Sequence, residues 1–132
     1  MKLLPAGDTA VLVELGDLEE VLSLYAQLDE DLPDGVVDMV PAAATLLLTL
    51  DPARTDVERL SRTVSSLTVG THSRAAAGEV EIPVVYDGED LADVGRLTGL
   101  GERGVVEAHT ATPWTVAFCG FAPGFAYMTC ED

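Results

Sequence analysis

Twice in roughly the first 70 residues a pair of short apolar runs is followed by a helical stripe, and this repeat constrains the fold more than any other feature. Lys2 to Pro5 and Ala10 to Leu15 read as a hairpin around Gly7-Asp8. Asp17 stands where a helix cap is wanted, with Glu20 at the capping-box position after it. Leu18, Val21, Leu22, Tyr25 and Leu28 then share one helical face, which ends before Pro33 and Gly35. Val36 to Val40 and Thr45 to Leu50 repeat the strand pair, joined by Pro41-Ala42-Ala43-Ala44. A second helix is expected to start between Pro52 and Asp56, burying Val57, Leu60, Val64 and Leu67. A sheet must bury one face and a helix one stripe. The pattern therefore implies an α+β, two-layer β-β-α-β-β-α domain over residues 1–76, with helices on one face of a mostly antiparallel sheet.

Beyond it, Thr71 to Gly78 reads as a small-residue linker, in which His72 is solvated. Glu79 to Tyr86 alternates loosely and contains Pro83, which suits an edge strand. Asp90 to Leu97 and Glu102 to His109 are two short helical patterns, and Trp114 to Cys119 is a strand with Trp114, Val116 and Phe118 on one face. A second domain is thus expected over residues 79–132. Its strand Trp114 to Cys119 has no later strand in view, so an unfinished sheet with an unsatisfied edge is expected.

Composition narrows the function. The chain carries 23 Asp and Glu against seven Lys and Arg, a net charge of −16. Phosphate backbones and anionic membranes repel such a surface, which argues against nucleic-acid and membrane partners. The run Val40 to Leu50 is too short to span a bilayer, and no secretory leader is visible at the N-terminus. Cys119 and Cys130 lack a second ligand pair, and two histidines make no metal site, so no metal is expected. Free thiols suit a reducing compartment, and the cytoplasm is the expected location. No Gly-x-x-x-x-Gly-Lys-Ser/Thr loop is present, and Lys2 is the sole lysine, so the chain is a poor host for a nucleotide.

Chemistry concentrates near the C-terminal end. Four of the seven aromatic residues fall between Phe118 and Tyr127, interleaved with Gly120 and Pro123-Gly124. Pro123 and Gly124 suit the central positions of a type II turn, whose backbone N–H groups can approach a ligand closely. Phe121 and Phe125 are placed to clamp a small flat ring; the alternative is an apolar corner built from Phe118, Phe121, Phe125 and Tyr127. His109 lies between a helical pattern and the strand leading to that turn. It is the candidate acid/base or carboxylate-orienting group, and the alternative is a histidine favoured at a helix C-terminus. Cys119 has no base nearby in sequence, and packing is its expected role.

Several of these segments together resemble the family containing the B subunit of 5-oxoprolinase, KipI and allophanate hydrolase subunit 1. The resemblance is carried by Gly7-Asp8-Thr9-Ala10-Val11-Leu12-Val13-Glu14-Leu15-Gly16, Val40-Pro41, Leu46 to Leu50 with Asp51-Pro52, and Val80-Glu81-Ile82-Pro83-Val84-Val85-Tyr86. Asp90-Leu91, His109 and Gly120-Phe121-Ala122-Pro123-Gly124-Phe125-Ala126-Tyr127 complete it. Trp114 stands where the family often has tyrosine, and the family's later Pro-Arg and Gly-Gly-Trp segments are absent. The resemblance implies a small N-terminal α/β domain followed by a cyclophilin-like β-barrel, here incomplete. It also implies a subunit of an ATP-dependent 5-oxoprolinase, opening the lactam of 5-oxoproline to glutamate with a homologous second subunit and a third subunit of another fold. ATP would be consumed by the assembled complex. His109 would then be catalytic, and Gly120, Phe121, Pro123, Gly124 and Phe125 would bind substrate. KipI-like kinase inhibition and an allophanate-hydrolase role are the alternatives the resemblance leaves open.

Overall fold

A computed structural model describes residues 1–70 and 78–130. The chain forms two compact units, Met1–Ala76 and Ala77–Asp132.

In the first unit, β1 (Lys2–Pro5), β2 (Ala10–Glu14), α1 (Leu18–Glu30), β3 (Val36–Pro41), β4 (Thr45–Leu50) and α2 (Val57–Ser65) follow one another as the β-β-α-β-β-α pattern expected. The strands lie in the order β1-β2-β4-β3, and every neighbouring pair is antiparallel. Strand alternation puts Val11 opposite Leu48 and Val13 opposite Leu46 on one face, all four fully buried. Val21, Leu24 and Leu28 of α1 and Leu60 and Val64 of α2 close over that face in a single core. Each such side chain contributes about 1.5–3 kcal/mol of burial. The face of α1 is rotated from the one the sequence implies. Leu24 is at its centre, while Leu22 and Tyr25 are only half-buried. Ser23 is also buried, because its hydroxyl donates to the Gly70 carbonyl as the chain returns along α1.

Local chemistry sets the boundaries. Asp17 accepts from the Glu20 N–H at 2.9 Å, while the Glu20 carboxylate reaches back to the Gly16 N–H at 2.8 Å. The reciprocal capping box is therefore made, one residue earlier than its usual return contact. Asp56 caps α2 through the Arg59 N–H at 2.7 Å. Pro5 and Pro41 both sit on edge strands, where a missing N–H is tolerated.

In the second unit, α3 (Leu91–Thr98) and α4 (Gly101–Thr110) form a helical hairpin, and β5 (Thr115–Cys119) pairs antiparallel with β6 (Ala126–Thr129). Gly95 lets the helices meet, since a Cβ there would lie 2.6 Å from the Gly101 carbonyl carbon. Two expectations are corrected. The strand beginning at Trp114 does find a later partner, β6, which the sequence hid because the segment is short and follows two breakers. Glu79 to Tyr86 is not a strand: Pro83 removes a donor, no described strand lies beside it, and Ile82 is 73% exposed. No closed barrel is formed among the described residues. The expected linker Thr71–Gly78, with His72 and Arg74, lies outside the described residues except for Gly78. No described helix is long and apolar enough to cross a membrane.

Candidate functional site

The β5–β6 connection is a hairpin whose backbone is under strain at one residue. The N–H of Phe125 donates to the Ala122 carbonyl at 3.0 Å, closing a β-turn with Pro123 and Gly124 at its centre. Gly124 has φ +79°, as a type II turn requires. Just before it, the Ala122 N–H donates to the Gly120 carbonyl at 2.8 Å around Phe121, whose φ is +66°. This is a three-residue turn with a positive central φ, a form that costs an aromatic residue energy and recurs at functional loops. The Gly120 N–H donates across the hairpin to the Phe125 carbonyl at 3.2 Å. Among the described residues the N–H groups of Phe121 and Gly124 find no acceptor, so both are available to an incoming oxygen.

The aromatic residues form a continuous chain of ring contacts. Phe118 stacks on its cross-strand partner Tyr127 at 4.6 Å, Tyr127 meets Phe125 edge-on at 5.2 Å, and Phe125 meets Phe121 at 5.4 Å. Phe121 and Phe125 thus close on each other rather than leaving a slot between them. The most open face for a flat ring to stack on is the outer face of Phe121, which is 89% exposed. Cys119 and Cys130 are free and exposed, so Cys119 is not the packed thiol expected.

His109 ends up in a different constellation. It lies in the last turn of α4, where its own carbonyl is one of the orphaned helix-end acceptors. The Trp114 indole N–H satisfies that carbonyl at 2.8 Å, and the indole lies 5.0 Å from the imidazole. On the other side, the Tyr86 hydroxyl oxygen is 2.6 Å from His109 Nδ1, with the two rings edge-on at 5.7 Å. No hydrogen bond or ring contact among the described residues joins this trio to the Phe118–Tyr127 group. The five residues of β5 separate Trp114 from the turn, at about 3.3 Å per residue.

Tyr86 and Trp114 therefore belong with His109, although sequence reasoning assigned neither to a site. Tyr86 ends the Val80–Tyr86 segment, but a hydrogen bond spanning 23 positions leaves no periodic trace. Among the described residues no group of three or more His, Cys, Asp or Glu is placed to hold a metal ion. Two cavities of about 210 and 390 Å³ lie in the first unit, one beside Tyr25 and Met39, the other between Gln27 and Thr63. Neither is lined by His109 or by a residue of the β5–β6 turn.

Known proteins resemble this chain along most of its length. The carboxyltransferase domain, subdomain C and D, matches residues 1–132. The chain is 37% identical to the B subunit of 5-oxoprolinase from Escherichia coli O157:H7 and 28% identical to the B subunit of 5-oxoprolinase from Bacillus subtilis (strain 168). Each match covers 92% of this chain and 60% of the relative, so the chain spans about 60% of the length of these curated relatives. The crystal structure of TTHA0988 superposes with a TM-score of 0.67 at 34% identity, over 92% of this chain and 26% of that one. With a match along its whole length, the chain belongs to the family of the carboxyltransferase domain, subdomain C and D.

Proposed function

We propose that this chain is part of a 5-oxoprolinase subunit, acting in an ATP-dependent hetero-oligomer that opens the lactam of 5-oxoproline to glutamate. The observation that carries this reading is the 37% identity, over 92% of the chain, to a protein named as the B subunit of 5-oxoprolinase. The chemistry is compatible. Opening a lactam requires donors for the oxyanion that develops on the amide oxygen and a proton for the departing nitrogen. His109 supplies an exposed imidazole, and the Gly120–Phe125 turn supplies two unpaired N–H groups beside an open aromatic face. In this reading His109 is catalytic, while Gly120, Phe121, Pro123, Gly124 and Phe125 form a binding turn. The separation of the two groups favours a composite site, in which each borders substrate or partner on its own side. ATP is consumed by the assembled complex, in which the partners are a homologous second subunit and a third of another fold; residues 1–132 carry no P-loop and a single lysine.

The test is co-expression of the full-length protein with those subunits, following glutamate formation from 5-oxoproline and ATP. His109→Ala should assemble normally and lose about 100-fold or more in turnover, the scale of a lost donor to the developing oxyanion. Gly124→Val should assemble and lose turnover by distorting the turn. A wild-type complex that makes no ATP-dependent glutamate rejects the assignment. An active complex indifferent to His109→Ala removes only that residue from the site.

A further inference from the structure

The partner at His109 Nδ1 decides what the outer nitrogen can do. A carboxylate in that place would accept a hydrogen bond from Nδ1–H and leave Nε2 as a lone-pair base, the arrangement that a serine-protease triad uses. Here the partner is a phenol, Tyr86, at 2.6 Å. A phenol O–H is a good donor, whereas its oxygen is a weak acceptor, because its lone pair is shared with the ring. The unprotonated imidazole nitrogen is the stronger acceptor of the two. That balance favours a bond from Tyr86 Oη–H to Nδ1, which would place the proton of the neutral ring on Nε2. The ring is also held from its second side. Trp114 packs against the imidazole while tying down the His109 carbonyl, so both the backbone and the plane of the ring are restrained.

The geometry points to Tyr86 as a positioning residue that fixes His109 in the Nε2–H form, so that the site meets its ligand as a hydrogen-bond donor rather than as a base. The ligand atom it suits is an oxygen acceptor, a carboxylate or an amide carbonyl of a small acid. This refines the preceding reading of His109 and rests on it. It also explains why an exposed histidine needs two aromatic neighbours: an unrestrained imidazole in water exchanges tautomers and rotates freely, and a donor is useful only when it stays aimed.

Two measurements test it separately. In full-length protein labelled with ¹⁵N-histidine, the ring nitrogen shifts of His109, assigned by their loss in His109→Gln, report the tautomer directly. Wild type should show protonated Nε2 and bare Nδ1 in the neutral ring. Tyr86→Phe, which keeps the ring contact and removes only the hydroxyl, should show a mixture. A wild-type Nδ1–H form, or a tautomer unchanged by Tyr86→Phe, overturns the proposal. In the assembled complex, Tyr86→Phe should lower kcat about tenfold with little change in KM. His109→Gln, whose amide N–H reaches a similar point, should retain more turnover than His109→Ala; equal loss in both overturns the donor role. A wild-type complex without oxoprolinase activity rejects the functional reading alone, because the tautomer measurement still decides the role of Tyr86.

Discussion

Gly35 and Gly124 show why a positive φ means different things at two positions. Gly35, at φ +85°, precedes β3, and a Cβ there would lie 2.5 Å from the Thr55 methyl group. Thr55 is buried and β-branched, so its side chain cannot turn away freely. Gly35→Ala should cost about 3 kcal/mol, from the left-handed backbone and the collision together. Thr55→Ser, which removes that methyl, should recover about 1 kcal/mol in the double variant. Denaturant midpoints of the four proteins provide the check, and additivity would mean that the two residues do not meet. Gly124, at φ +79°, has open space around the position of a Cβ. Strain there is confined to the backbone, which makes Gly124→Val a probe of the turn rather than of the fold. The type II turn was legible in Pro123-Gly124. The tighter turn at Phe121 was not, since nothing in an aromatic side chain asks for a positive φ.

At the scale of elements, capping and alternation were readable, and the rotation of a helix was not. Asp17 announced α1, because a carboxylate before an apolar-periodic run satisfies N–H groups that no backbone partner can reach, and Asp56, the last residue of the window expected to open α2, caps that helix in the same way. Asp56→Ala should lower stability by about 1 kcal/mol, and Asp56→Asn or Asp56→Ser by much less. Asp17→Ala should cost more than Asp56→Ala, since it also strands the Glu20 side chain that closes the box at Gly16. Equal losses in urea denaturation would mean that the return contact contributes nothing. The face of α1 was misplaced because apolar residues cover more than a third of its circumference, so periodicity alone does not give the centre of the stripe. Burial of Ser23 depended on Gly70, a contact 47 positions away. In the second unit the pairing of β5 was missed for a related reason. A four-residue strand offers too few alternations to stand out, and the bulge near Val116 and Phe118 breaks its register. The site followed the same rule. His109 and the turn stood out by residue type, whereas Tyr86 and Trp114 joined His109 only through folding.

For the whole molecule the dominant quantity is charge. With a net −16, self-repulsion opposes compaction, and the ion pairs that Lys2, Arg54, Arg96 and Arg103 form lie at exposed positions, where such pairs contribute little. Raising sodium chloride from about 0.01 M to about 1 M shortens the screening length from about 30 Å to about 3 Å. The melting temperature should rise by several degrees across that range, because repulsion summed over many carboxylates loses more than the few pairs do. A scanning-calorimetry series showing a fall would mean that the local pairs outweigh the global charge. The same acidity predicts that association of this surface with another protein depends on cationic groups supplied by that protein.

The contact between Trp114 and His109 makes the chain its own optical instrument. Trp114 is the sole tryptophan of this sequence, and its indole touches the imidazole proposed to receive the ligand. Within residues 1–132, red-edge excitation, which spares the tyrosines, therefore lights a single spot. Emission from it should change when a small acid docks on the ring, and His109→Gln should abolish most of that response. A fluorescence titration of this kind needs neither partner subunits nor turnover, and it converts a packing detail into a direct search for the ligand.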